Sequence, residues 1–242
     1  MSAVADYSIV VAAHGSRDPA ALREVETLLT LMRKQVPGRT IAHGYLEFAV
    51  PTIDDAVRVV VEGGAERVVM LPALLLAATH AKNDMPGELA LLKRQFPNVS
   101  FHFGAPTDLH PLLLQLAQQR IVQAEALSER TVRRSDSCLV VVGRGTSDPD
   151  ANSDVSKLGR MLEEGMGFGS SYVCYAGTAM PDLAEGLLLV ILQHDRVAIV
   201  GAEPRHRVVE ARLDQGPAVV QLDVVRRVAE AAGVRTVGGG GR

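Results

Sequence analysis

Apolar and polar positions alternate between two periods along this chain. Short β-branched runs, Ser8 to Ala13, Thr40 to Leu46, Arg67 to Leu71 and Val99 to Phe103, read as strands. Between them lie stretches with helical spacing. Leu22, Val25, Leu28, Leu29 and Met32 line one face of a helix predicted over Asp18 to Gln35, with Asp18 as N-cap and Pro19 in the first turn. A second helix is predicted to open at Pro51 and end near Gly63-Gly64, and Leu109 to Leu127 reads as a third. Strands alternating with helices predict right-handed parallel βαβ units, whose post-strand loops gather on one sheet edge, where ligands of such folds collect.

The pattern is then repeated. Ile9-Val-Val-Ala-Ala-His14-Gly-Ser-Arg-Asp18-Pro19 aligns without a gap on Leu139-Val-Val-Val-Gly-Arg144-Gly-Thr-Ser-Asp148-Pro149, an offset of 130 residues. At the same offset, Tyr45-Leu-Glu47-Phe-Ala49-Val-Pro51 aligns on Tyr175-Ala-Gly177-Thr-Ala179-Met-Pro181. The expectation is an internally duplicated α/β protein with an N-terminal lobe over 1–127, a linker over 128–136, a pseudo-symmetric lobe over 137–237 and a disordered glycine tail over 238–242. In the second half the predicted order is strand 138–142, helix 150–165, strand 171–175, helix 181–192 and strand 196–200. Beyond residue 200 the correspondence fades, although Val219 to Ala232 retains a helical pattern.

Composition narrows the function classes. Hydrophobic residues make up 47% and charged residues 22% of the 242, as in ordinary globular proteins, and a net charge of -3 supplies no electrostatic case for nucleic acid. The apolar runs fall short of a membrane span and no secretory leader pattern opens the chain, so a cytoplasmic protein is expected. Cys138 and Cys174 fall in strand-like runs and are expected to be buried free thiols.

The chemistry resides where the copies differ: His14 faces Arg144, and Glu47 faces Gly177. His14, Glu47 and His80 recur every 33 residues, the length of one strand-helix-strand step, which places one side chain after each of three successive strands. Two imidazoles and a carboxylate meeting there can hold one divalent ion with positions left open. By contrast, His43 and His102 lie within predicted strands and His110 at a helix start, where structural roles suffice; His194 and His206 fall in weakly patterned sequence. A Ser16 nucleophile is disfavoured because it lacks the Gly-x-Ser-x-Gly elbow.

Three strings, Ala13-His14-Gly15-Ser16-Arg17-Asp18-Pro19, Glu47 ahead of Pro51, and Pro72-Ala-Leu-Leu-Leu-Ala-Ala-Thr-His80-Ala-Lys82-Asn83-Asp84-Met85-Pro86, resemble the CbiX/SirB class II chelatases. Gly143-Arg144-Gly-Thr-Ser-Asp-Pro-Asp-Ala-Asn152 and Cys174-Tyr175-Ala-Gly177 resemble the second half of the long form. The resemblance implies two similar chelatase-like lobes, each a parallel sheet flanked by helices. It also implies insertion of Co²⁺, or alternatively Fe²⁺, into sirohydrochlorin without ATP or a permanently bound cofactor.

His14, Glu47 and His80 would then be metal-binding and catalytic, Glu47 serving as ligand or as proton acceptor. Ser16, Arg17, Lys82 and Arg144 would contact the substrate, whose edge carboxylates suit guanidinium groups. The expected partners are sirohydrochlorin and a divalent metal, with no nucleic acid or membrane, and the expected state is a monomer. A metal or tetrapyrrole carrier that keeps the site without turnover is the alternative.

Overall fold

A computed structural model describes residues 6–77, 80–127, 133–193, 196–201 and 209–212. The chain divides into two compact units, Met1–Asp108 and Leu109–Arg242. Each carries a four-stranded sheet.

In the first unit the strands are β1 (Ser8–Ala13), β2 (Ile41–Tyr45), β3 (Arg67–Pro72) and β4 (Ser100–Phe103), ordered β2-β1-β3-β4 and all parallel. Every residue of β1 is buried. A central strand covered on both faces must be apolar throughout, and successive side chains serve opposite layers. Thus Ile9 and Val11 pack with Leu29 of α1 (Pro19–Gln35), whereas Val10 and Ala12 pack with α2 (Ile53–Glu62) and α3 (Met85–Gln95). The sheet is therefore sandwiched between helices, with α1 on one face and α2 and α3 on the other.

Local chemistry sets the helix starts. Asp18 caps α1 as expected: its Oδ1 accepts from the Ala20 N–H at 2.8 Å, and Pro19 occupies the first turn. The start predicted at Pro51 moves to Ile53. The Pro51 carbonyl accepts from the Tyr45 N–H at 2.9 Å, and Thr52 closes a capping box with Asp55. Between β3 and α3 the chain makes a single π-helical turn, His80–Asp84, absent from the sequence expectation.

The second unit repeats this scheme with β5 (Cys138–Gly143), α5 (Pro149–Met166), β6 (Ser170–Tyr175), α6 (Leu183–Gln193) and β7 (Arg196–Gly201), in the order β6-β5-β7. Asp148 caps α5 as Asp18 caps α1. The scheme departs at β8 (Val209–Arg212), which pairs antiparallel to β7. Seven residues separate these strands, too few for the crossover that a parallel fourth strand requires.

Helix α4 (Pro111–Leu127), expected to close the first lobe, belongs to the second unit. It packs on α5, buries Ile121, and is tied by Glu125 to Arg134 in the turn preceding β5 through bonds of 2.6 and 2.7 Å. The predicted helix Val219 to Ala232, the glycine tail, His194 and His206 lie outside the described residues. Among the described residues no helix is long and apolar enough to cross a membrane.

Cys138 and Cys174 are free and buried. Burial, with a smaller contribution from Asp182, pushes the Cys174 thiol up to about 12, and burial also raises Cys138 despite an opposing hydrogen bond from Ser170. A thiol raised in the folded state stays protonated while the unfolded chain ionises near 9.0, so its stabilising contribution is complete below that value. Stability is therefore expected to fall as pH rises from 9 towards 12, and Cys174→Ala is expected to flatten that decline in urea titrations. At pH 8 both thiols are expected to resist Ellman's reagent in the native protein and react in guanidinium; rapid labelling of the native protein would contradict their burial.

Candidate functional site

The parallel β1–β2 pairing does not stop at the strand ends. Leu46 N–H donates to the Ala13 carbonyl at 2.9 Å and Glu47 N–H to the His14 carbonyl at 3.0 Å, so the ladder continues into both loops. Between them Gly15 adopts φ +93°, a conformation favouring glycine, and lies directly against the Glu47 carbonyl where no Cβ fits. The chain can thus turn away from β1 while the side chains of His14 and Glu47 are brought together.

Their functional atoms meet: His14 Nδ1 is 3.2 Å from Glu47 Oε1, with the imidazole 23% and the carboxylate 40% exposed. The approach lies within ion-pair range but is not aligned as a hydrogen bond, so it brings the carboxylate to the ring without fixing the tautomer. An imidazole and a carboxylate brought this close together are the donor types that suit a divalent metal.

Phe48 follows at once. It is the neighbour that the sequence reading overlooked. Its backbone is left-handed, φ 64°, and its ring is 53% exposed. The ring centroid lies 6.1 Å from that of His14, and the Arg17 guanidinium carbon sits 5.0 Å above it. The signal was present in the repeat, since Phe48 and Arg17 align with Thr178 and Ser147 and are as specific to the first copy as His14 and Glu47.

The remaining candidates divide. Ser16 shares the loop, and its hydroxyl accepts from the Asp18 N–H at 3.0 Å; Thr146 makes the same bond to Asp148 at 3.2 Å in the second unit, so this contact shapes the turn in both copies. His80 and Lys82 belong to the π-helical turn after β3, which leaves the same sheet edge as the loops after β1 and β2. Lys82 is exposed, and the side chain of His80 lies outside the described ones. Among the described residues no set of three metal-ligating side chains comes together; the described members of the expected set are His14 and Glu47.

Arg144 occupies the place of His14 at the end of β5 and is exposed. Here the close packing is reversed: Gly177 lies against the Arg144 carbonyl, leaving no room for a Cβ. Asn152 clamps this loop, accepting from the Thr146 N–H at 3.1 Å and donating to the Thr146 carbonyl at 2.7 Å, and its own carbonyl accepts from the Tyr175 hydroxyl at 3.0 Å. The first unit has Leu22 at the position of Asn152.

The other histidines have local contacts. His43 stacks edge-on against Tyr45 at 5.3 Å, and burial lowers its pKa, Glu26 opposing and Arg33 reinforcing the effect. His110 Nδ1 accepts from the Leu112 N–H at the start of α4, and His102 Nε2 lies 3.4 Å from Ser100 Oγ.

The sequence matches the CbiX family profile over residues 8–124 and 138–201, most of the chain. The chain belongs to the CbiX family. It is 31% identical to a sirohydrochlorin cobaltochelatase of Priestia megaterium over 74% of its own length and 58% of that relative's. It is also 31% identical to a sirohydrochlorin ferrochelatase of the same organism, over 76% of this chain and 68% of the relative. The chain thus spans less than two thirds of the cobaltochelatase.

Among solved structures it is similar in fold to SirB from Bacillus subtilis with Fe³⁺, with a TM-score of 0.74 and 24% identity across 94% of this chain and 85% of the other. A CbiX described as the terminal enzyme of sirohaem biosynthesis in denitrifying bacteria aligns with a TM-score of 0.62, 17% identity, and coverage of 94% and 88%. The two similar α/β units have the fold of these SirB and CbiX structures.

Gly15→Ala should separate the two members of the site in this CbiX protein. A Cβ there must displace the Glu47 carbonyl, and the added residue is strained at positive φ. The expected result is a loss of Co²⁺ affinity of about tenfold or more in calorimetric titration, with far-UV circular dichroism unchanged. Undiminished affinity would show that metal binding does not depend on this approach.

Proposed function

We propose that the chain is a sirohydrochlorin chelatase that inserts a divalent metal, Co²⁺ or Fe²⁺, into the tetrapyrrole without ATP. The observation carrying this reading is the His14–Glu47 contact at the edge of the first sheet, in a chain of the CbiX family. Sirohydrochlorin is the compound named in the cobalt and iron relatives alike.

In this reading the neutral His14 offers Nε2 to the incoming metal, and His80 supplies the second imidazole from the turn after β3. Insertion exchanges one divalent cation for two pyrrole protons, so a base must stand beside the metal. Glu47, beside the His14 ring, serves as an oxygen ligand or as the base that collects a pyrrole proton directly. Ser16, Arg17, Lys82 and Arg144 are the proposed substrate contacts, the three cations addressing edge carboxylates. This donor set accepts cobalt and iron, and affinity order alone does not choose between them. The metal is a substrate, no permanently bound cofactor is required, and a cytoplasmic monomer is the proposed working form.

An anaerobic insertion assay with sirohydrochlorin and Co²⁺, Fe²⁺ or Ni²⁺, followed by the absorbance change of the macrocycle, tests the proposal. His14→Ala, His80→Ala and Glu47→Gln are each expected to lower turnover on the order of 10²-fold or more, and Arg144→Ala to weaken tetrapyrrole affinity. Full turnover in both histidine variants would refute the assignment. Wild-type binding of tetrapyrrole without insertion of any metal would identify a carrier instead.

A further inference from the structure

Phe48 presents three features that the metal chemistry leaves unexplained. Its ring is more than half exposed although it adjoins a well-packed core. Its backbone occupies the left-handed region, unfavourable for a bulky residue and tolerated where the surroundings impose it. Among the described residues the only other non-glycine with positive φ is Asp108, so the aligned Thr178 does not share the conformation. Exposure and unusual backbone therefore coincide in the copy that carries His14 and Glu47.

The surroundings indicate what such a ring would meet. The π face is attractive to flat conjugated systems and to cations. Arg17 already stands over the ring, Val50 two residues further along is 80% exposed, and the His14 imidazole lies within 6.1 Å at a tilt of 41°. An apolar plate more than half exposed, with a cation over one face and a candidate metal ligand beside it, matches a planar macrocycle whose rim carries carboxylates and whose centre must reach the metal.

We propose that Phe48 is a stacking surface for the tetrapyrrole, with Arg17 pairing to a rim carboxylate, so that the pair sets the macrocycle's position relative to His14. This rests on the chelatase reading and adds a residue to it. Phe48 contributes binding and orientation and moves no proton. Its left-handed backbone turns the ring outward beside the ligands, where the next residue of a regular strand would face the opposite side of the sheet.

The chain has no tryptophan, so Phe48→Trp installs a unique fluorophore at the site. Its emission is expected to be quenched on addition of metal-free sirohydrochlorin, with affinity within a fewfold of wild type. Phe48→Ala and Phe48→Gly are expected to weaken sirohydrochlorin binding by roughly tenfold, measured by absorbance titration, while Co²⁺ binding measured without tetrapyrrole stays within twofold. The glycine variant relieves the positive φ, so its loss of affinity would belong to the ring. Arg17→Ala is expected to weaken binding and reduce its dependence on salt.

Wild-type tetrapyrrole affinity in the alanine and glycine variants would overturn the inference while leaving chelatase activity standing. A parallel fall in Co²⁺ affinity would also overturn it, assigning Phe48 to the shape of the metal site. Failure of the wild type itself to bind or metallate sirohydrochlorin would overturn the functional reading, and this inference with it.

Discussion

The candidate site depends on the close approach of two backbones at the end of β1. Two hydrogen bonds carry the ladder beyond the strands, and Gly15 lies against the Glu47 carbonyl. Each such bond contributes only about 1 kcal/mol net. Their importance is geometric, because they are anchored on a strand buried on both faces and leave His14 little freedom to drift from Glu47. An imidazole and a carboxylate distant in sequence are thereby brought together by the backbone itself.

Much of this was legible in the amino-acid pattern because its causes are local. The β-branched run of β1 requires cover on both faces, and Asp18-Pro19 specifies a helix start by hydrogen bonding and fixed φ. His14 and Glu47 stood out because equivalent places in the second copy lack them. What escaped depends on distant partners. Pro51 looks like a first-turn proline until Tyr45 engages its carbonyl and Thr52 takes the cap. Helix α4 has no local mark of the unit it joins, since the Glu125–Arg134 pair that ties it reaches into the stretch read from composition as a linker. Phe48 resembles an ordinary apolar strand neighbour, and its conformation is set by the loop as a whole.

The two copies also divide rigidity between them. Both keep the aspartate cap and the hydroxyl turn before it, which are demands of the strand-to-helix junction. Only the second adds the Asn152 clamp on both polar groups of Thr146. Where the loop carries the candidate metal ligand, Leu22 occupies the clamp's position. Junction chemistry is therefore shared between copies, and the means of holding the loop is specific to each.

The reversed packing in the second unit limits how far the two copies are interchangeable. With Gly177 pressed on the Arg144 carbonyl, a glutamate at that position requires the backbone first to move apart, and a histidine at 144 alone would lack a carboxylate at 177. Neither substitution transplants the first copy's arrangement by itself. The asymmetry between the copies is thus written in the backbone as well as in the side chains, and exchanging residues between the loops one at a time cannot convert either into the other.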